Sequence, residues 1–273
     1  MYFDIDCYEQ KLVQKGLFCH YLSKCKDILM LLKHQIKLIK SLSQKKYRQQ
    51  LGLFTVEGVK GIRELLESDL KLHNLFTTKL IFDAPKDLTV EISEIELKKI
   101  SSLKSPNTAL AIFEIPPSLS INSKALIIAL DDVRDPGNLG TIIRLCDWYG
   151  VKDLVCSNNT VDCYNPKVVQ ATMGSLARVN ICYCNLEDYL SNHKETVFGT
   201  FMVGENVYNA ELPDKGIVVL GNEANGISEP IAKIVEKRLT IPQFGKVQET
   251  ESLNVANATA IILSEFRRRT IEM

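Results

Sequence analysis

The chain spells no nucleotide-binding fingerprint. None of its 14 glycines completes a GxGxxG pattern, and no GxxxxGK[ST] occurs anywhere. A Rossmann-type dinucleotide turn is therefore a poor match, and a P-loop NTPase is excluded. The formal net charge is zero, so bulk charge gives no argument for a polyanionic partner. No apolar run approaches the roughly 18 residues that a membrane span requires. The eight cysteines include no CxxC pair, and the four histidines are scattered. Cys182 and Cys184 alternate on an expected strand, yet no second pair or nearby His completes a zinc set. The thiols are read as structural or incidental, in a reducing compartment, and no metal is expected. The opening "MYFDIDCYEQ" lacks a basic region followed by an apolar one, so no secretory signal is expected and a cytoplasmic location is the default.

What is present is the composition of a globular protein with a sizeable core. Hydrophobic residues make up 45% and charged residues 24% of 273 positions, which suits one large or two unequal domains. Charge is uneven. Lys33 to Arg48 holds six Lys/Arg and no Asp or Glu, and Arg267, Arg268 and Arg269 stand together near the end. Such patches can bind phosphate on a neutral molecule, although a solvated helix face explains either run equally well.

The text divides near residue 120. Residues 1–35 carry three cysteines and two histidines with no functional reading, beyond a helix expected around 27–39. From 36 to 117 helices and strands alternate: a basic amphipathic helix, the strand "LFTVEG", a helix over 59–68, strand-like "KLIF" at 79–82, helical "ISEIELKKISSL" and the strand "TALAIFEI". This predicts a small α/β domain. The Pro/Ser/Asn-rich stretch around 118–124 reads as a linker.

Residues 125–273 form the second domain. Strands are expected at 125–130, 153–156, 177–183, 196–203, 217–220 and 238–241. Helices are expected near 139–149, 166–173, 186–191, 229–236 and 252–269. Asn138, Asn165, Ser228 and Ser252 stand at helix starts as candidate caps. The strands are continuous apolar runs, as in a mostly parallel sheet covered on both faces. Ligands on such sheets bind beyond the strands' carboxyl ends, so the loops there are the places to search.

Three loops carry unusual residues. "DPGNLGTIIR" sets Asn138 at a helix start and Arg144 in its second turn; the plain alternative is a cap and an Arg144–Asp147 pair. "VVLGNEANGISEP" places Glu223 just after a strand end, where a simple Asn-Gly turn does not need it. "IPQFG", followed by "ESLNVA", leads from a strand end to a long helix, with Ser252 either a cap or a site residue.

In order, "NxGTIIR", "LGNEANGIS" and "IPxFG…ESLNVA" closely resemble the three motifs of the SpoU family of the SPOUT superfamily. "DCYNPKVVQATMGSLARVNI" is similar to the text between the first two. These are S-adenosylmethionine-dependent RNA ribose 2′-O-methyltransferases. Residues 36–117 resemble the substrate-binding domain that precedes the catalytic domain in many ribosomal-RNA-directed members. The resemblance implies a trefoil-knotted catalytic domain and a homodimer with active sites at the interface. It assigns Asn138, Arg144, Glu223, Ser252 and Asn254 to the catalytic set. It assigns Gly199, Thr200, Leu220, Gly221, Ile241, Gln243, Leu253 and Ala258 to cofactor binding. Two departures are visible: a longer "QFGKVQETE" loop, and Ala256-Asn257 where Ser-Val is common.

That chemistry needs a ribose hydroxyl activated and a methyl donor held in line with it. Guanidinium stays protonated, so Arg144 is expected to bind the target phosphate or stabilise the developing alkoxide rather than act as base. Asn138, Glu223 and Asn254 are expected to orient it, the ribose or the loops. Lys37, Lys40, Lys45, Lys46 and Arg48 are candidate phosphate contacts, with ribosomal RNA favoured over transfer RNA. The alternatives are a tRNA-directed enzyme, a non-catalytic RNA-binding or ribosome-assembly factor of the same fold, and an α/β enzyme using another nucleotide.

Overall fold

The computed structural model describes residues 31–122, 124–245 and 252–268. The segment 1–30, which holds most of the expected N-terminal extension, lies outside them, as do 246–251 and 269–273.

The first unit is a four-stranded sheet with helices on it. Its elements are α1 (Lys33–Ser41), α2 (Lys45–Leu51), β1 (Leu53–Glu57), α3 (Val59–Leu66), β2 (Leu72–Thr77), β3 (Thr89–Glu91), α4 (Glu94–Ile100) and β4 (Ala109–Glu114). The strand order is β1-β4-β2-β3. β4 is antiparallel to both β1 and β2, and β2 is parallel to β3. Leu31 is buried in this unit's core and its N–H donates to Glu96 Oε1 at 3.0 Å, so ordered structure begins ahead of residue 36. The expected strand at 79–82 is absent. The strand lies at β2, where Leu75 and Phe76 pair with β4 and are buried, whereas Leu80 and Ile81 are 71% and 41% exposed beyond the sheet.

The second unit is a six-stranded sheet, ordered β10-β8-β9-β5-β6-β7. It is built from β5 (Leu126–Leu130), β6 (Asp153–Ser157), β7 (Asn180–Cys184), β8 (Val197–Asn206), β9 (Gly216–Leu220) and β10 (Lys237–Thr240). Every pairing among these strands is parallel. Between them run α5 (Pro136–Trp148), α6 (Pro166–Thr172), α7 (Leu186–Ser191) and α8 (Glu229–Ile234), and α9 (Val255–Arg268) follows. The strand expected from 177 begins only at Asn180, because Ser175–Ala177 form a 3-10 turn. β5, β6 and β9 are buried along their whole length, which is why each reads as an unbroken apolar run. Leu126, Ile128 and Leu130 face one apolar cluster, and Ile127 and Ala129 face the other.

The two units share a core. Phe54, Val56, Ile62 and Phe113 of the first belong to the same buried cluster as Leu126, Ile142 and Leu154 of the second. Across the seam Phe54 packs on Tyr164 with ring centroids 4.8 Å apart. Arg178 bridges Asp147 at 2.9 Å and Glu64 at 3.3 Å. Asp147 pairs with Arg178, so the plain alternative of an Arg144–Asp147 pair is not what forms.

Arg48 is a further correction. It was a candidate phosphate contact, but it is only 2% exposed. Its Nε donates to Asp162 at 2.9 Å, its Nη2 donates to the same carboxylate oxygen, and its Nη1 donates to the carbonyls of Leu42 and Ser43 at 2.8 and 2.9 Å. A guanidinium committed in this way has no face for RNA. It fastens the N-terminal unit to the loop after β6.

Candidate active site

β5 and β9 are neighbours in the middle of the second sheet, and the loops leaving their carboxyl ends are tied together. Asn222 Nδ2 donates to the carbonyl of Asp132 at 2.7 Å, and the Ser228 N–H donates to the Asp131 carboxylate at 2.7 Å. Asp132 sits at φ 60°, a left-handed conformation that Asp tolerates because its short side chain bonds locally. Here the Ser157 hydroxyl donates to Asp132 Oδ1 at 2.7 Å and accepts from its N–H at 2.9 Å.

Asp135 caps α5, accepting from the Asn138 N–H at 2.8 Å, with Pro136 at the first helical position. Asn138 was expected to be the cap. It is the third helical residue, and its side chain is free to act elsewhere. In the loop after β9, Asn222 and Gly226 exchange two backbone bonds at 2.9 Å. Asn222 Oδ1 accepts from the N–H groups of Ala224 and Asn225 at 2.9 and 3.2 Å. The turn is complete without Glu223, whose carboxylate instead spans to α5. It accepts from Asn138 Nδ2 at 2.9 Å and from the N–H groups of Asp135 and Arg134 at 3.2 and 3.4 Å.

The chain continues through the third loop. Asn254 Nδ2 donates to Asn138 Oδ1 at 2.9 Å, while Asn254 Oδ1 accepts from the N–H groups of Ala256 and Asn257 at 2.9 and 3.3 Å. Asn254, not Ser252, therefore caps α9. Asn257 points to solvent. Three expected site residues thus form one relay, Asn254–Asn138–Glu223, with each amide oriented by the next partner. Partial burial pushes the Glu223 pKa up, but the bonds from Asn138, Arg134 and Asp135 outweigh it and hold the carboxyl below its ordinary value of 4.5. Glu223 is ionised and acts as an acceptor.

Beside this relay lies a cavity of about 430 Å³ formed by the loops after β9 and β10, the middle of β8 and the start of α9. Its wall includes Thr200, Leu220, Gly221, Ile241, Gln243, Leu253 and Ala258, seven of the eight expected cofactor residues, and also Ser252. Gly199 is the exception. A Cβ there would meet Phe201 at 2.7 Å and Val235 at 2.9 Å, so its glycine serves packing under the strand. Phe201, Met202 and Phe244 line the cavity and were not anticipated from sequence. Nothing local in the sequence marks them: Phe201 and Met202 lie within β8 and Phe244 in the loop after β10. The volume falls within the roughly 300–1,000 Å³ of small-molecule sites, and the mix of aliphatic wall and loop backbone suits a flat heteroaromatic ring with a polar edge.

Arg144 is not part of the relay. It lies six residues beyond Asn138 on α5, about 9 Å along the axis and about 120° round it. It is exposed, with no side-chain hydrogen bond or ion pair among the described residues. It opens onto a separate cleft of about 520 Å³ between the two units, shared with Lys60, Thr141, Trp148 and Met173. Lys37 and Lys40 on α1, and Lys45 and Lys46 opening α2, are all exposed. Lys45 Nζ stands 5.9 Å from the centre of the Tyr183 ring. None of the described cysteines lines the cavity, and burial pushes the thiols of Cys146 and Cys163 up to about 12. Among the described residues no helix is long and apolar enough to cross a membrane.

Known proteins resemble the chain across both units. The model of the SpoU rRNA Methylase family matches residues 125–264, and that of the MRM3-like substrate binding domain matches 33–111. A TrmH-family protein from Porphyromonas gingivalis is 40% identical, with a TM-score of 0.82 over 88% of this chain and 99% of its own. The AdoMet-bound rRNA methyltransferase from Sinorhizobium meliloti is 30% identical, with a TM-score of 0.76 over 87% of this chain and 95% of its own. The 23S rRNA (guanosine(2553)-2′-O)-methyltransferase RlmP of Bacillus subtilis is 29% identical over 246 residues, 85% of this chain and 96% of its own length.

Proposed function

The chain belongs to the SpoU rRNA methylase family, and on that premise we propose that it transfers a methyl group from S-adenosylmethionine to a ribose 2′-hydroxyl of ribosomal RNA. One observation carries the reading: the Asn254–Asn138–Glu223 relay stands at the edge of the cavity that Ser252, Leu253 and Gly221 line. The RNA-binding domain, expected over 36–117, takes in the residues from 31 that pack into its core, and the catalytic domain covers 125–273 after a linker at 118–124.

S-adenosylmethionine fits the cavity. Leu220, Ile241, Leu253 and Ala258 would hold its apolar faces, and the backbone around Gly221 and Gln243 its polar edge; when bound it supplies an electrophilic methyl on sulfur. Held there, that methyl would face the ribose hydroxyl that the chain's own residues position. The protein's part is positioning and charge. Glu223, ionised, fixes the Asn138 amide; Asn138 and Asn254 orient the ribose, with Ser252 beside them. Arg144 carries a permanent positive charge for the target phosphate and the developing alkoxide. Lys37, Lys40, Lys45 and Lys46 bind phosphate without reading sequence.

The distance of Arg144 from the cavity within one chain supports a homodimer in which Arg144 of one copy completes the site of the other. The family's trefoil knot and a cytoplasmic location belong to the same proposal. Mixing Arg144→Ala chains with Glu223→Ala chains would restore activity in mixed dimers if sites are composite, and leave it absent otherwise. The function itself is tested by mapping 2′-O-methyl groups in RNA from cells with and without the protein. Loss of one ribosomal position is expected. Loss of a transfer-RNA position alone would redirect the substrate, and no change at any position would sink the reading.

A further inference from the structure

Trp148 is the only tryptophan in the chain, and it is 84% exposed. It sits one turn after Arg144 on α5, on the wall of the interdomain cleft. Its ring offers a large apolar face on which another planar ring can stack. Met173, 44% exposed, stands in the same cleft at φ 50°, a backbone conformation rarely adopted by a long side chain. Gly174 follows it with φ 91°, pressed so closely on Glu64 of the RNA-binding domain that a Cβ would lie 2.2 Å from its carboxylate. Met173 is thus held on the rim by a turn braced against the other domain.

Charge in the cleft is arranged as it is around a polyanion. Arg178 is committed to Asp147 and Glu64. Lys60, from α3 of the RNA-binding domain, and Arg144, from the catalytic domain, have no side-chain partner among the described residues. Two unpaired cations, one on each domain, thus flank the exposed indole. They suit a nucleotide, whose phosphates pair the cations and whose base stacks on the ring. The cleft's volume of about 520 Å³ is within the range for a ligand of that size.

We propose that this cleft is a stacking site for a single-stranded nucleotide of the RNA substrate, with its base on Trp148 and its phosphates on Lys60 and Arg144. The inference rests on the RNA-methyltransferase reading and adds where the strand is held: bases are gripped by their faces, regardless of sequence, at the junction of the two domains. Stacking is sequence-tolerant because every base has a π-face, so the site would grip a strand whose identity is read elsewhere.

The lone tryptophan makes the test direct. The full chain is titrated with a fluorescein-labelled, mixed-sequence oligoribonucleotide, following label anisotropy and Trp148 emission together. Emission should be quenched in step with the anisotropy change and recover with added salt. By anisotropy, Trp148→Ala should bind about 5- to 150-fold more weakly, Trp148→Phe should bind near wild type, and Lys60→Glu should also weaken binding. Binding by anisotropy without a change in Trp148 emission would overturn the site while leaving RNA binding intact. So would Trp148 already shielded from iodide without RNA, increasingly so at higher protein concentration, because a second copy would then cover it. No anisotropy change, together with no methyl transfer to ribosomal RNA, would overturn the function itself and the stacking site with it.

Discussion

Replacing Arg48 with Met should unfold the protein at a markedly lower temperature while leaving its affinity for RNA nearly unchanged. The guanidinium is buried, uses two N–H groups on Asp162, and satisfies the carbonyls of Leu42 and Ser43. Without it Asp162 keeps only the Tyr164 N–H, at 3.1 Å, and two backbone carbonyls lose their partner. Removing one member of a buried pair costs about 3–5 kcal/mol, since the other charge stays desolvated and uncompensated. For a chain of this size each kcal/mol moves the midpoint by roughly 2–4 °C, so the first thermal transition should fall by about 6–20 °C. Asp162→Asn should fall comparably. The double variant should lose less than the two singles together, by about 1–3 kcal/mol, because neither charge is then stranded. Circular dichroism melts of the four proteins close the cycle, and anisotropy with labelled RNA below the transition measures affinity. A midpoint shift under about 2 °C for Arg48→Met, worth less than 1 kcal/mol, combined with a large loss of RNA affinity, would refute the argument and return Arg48 to the phosphate contacts.

Arg144→Ala should melt like the parent, because the side chain is exposed and unpaired, and should bind S-adenosylhomocysteine normally by calorimetry. Its methyl transfer should fall about 100- to 1,000-fold, the usual loss for a group that stabilises developing negative charge; near-normal turnover would remove it from the reaction. Glu223→Gln tests the relay by pH. The carboxyl sits below 4.5 in the fold, so its contribution to stability is complete above pH 4.5 and fades as the pH falls through the lowered value. The stability gap between parent and variant in urea melts should therefore close on acidification, and a gap that widens would contradict the assignment. Gly221→Ala should abolish S-adenosylhomocysteine binding, because its Cβ would lie 2.1–2.4 Å from the backbone of Gly226 and Ile227. Reversing Lys37, Lys40, Lys45 and Lys46 to Glu should weaken RNA binding and lower the salt slope by about 3, at roughly 0.7–0.9 per phosphate contact. An unchanged slope would leave those lysines as a solvated helix face.

What could be read from the sequence, and what could not, divides along physical lines. β5 and β9 were legible because strands covered on both faces must be apolar throughout. Glu223 was legible because the turn around it is already satisfied by Asn222 and Gly226. β2 was hidden by the polar His73 and Asn74 on its partly buried half, while the apolar "KLIF" nearby drew attention to residues that lie past the sheet. Arg48 was misread because a basic run looks the same whether each side chain meets water or a carboxylate. Its partner is 114 residues away, and nothing local announces it. The cap of α5 was assigned to Asn138 because Asn and Asp are nearly equivalent as caps. With Asp135 taking that role, the Asn138 amide can join Glu223 to Asn254, residues 85 and 116 positions distant from it.

The position of Arg144 follows from helical geometry. A side chain six residues from Asn138 is displaced by about 120° around the axis, so one helix cannot turn both residues into the same cavity. α5 instead divides its faces. The N-terminal face closes the relay against the loops of β9 and α9, and the Arg144–Trp148 face opens on the cleft shared with the RNA-binding domain. An enzyme that needs both functions at one ribose must bring the second face from elsewhere. In the proposed homodimer, a neighbouring copy of the same helix would supply it.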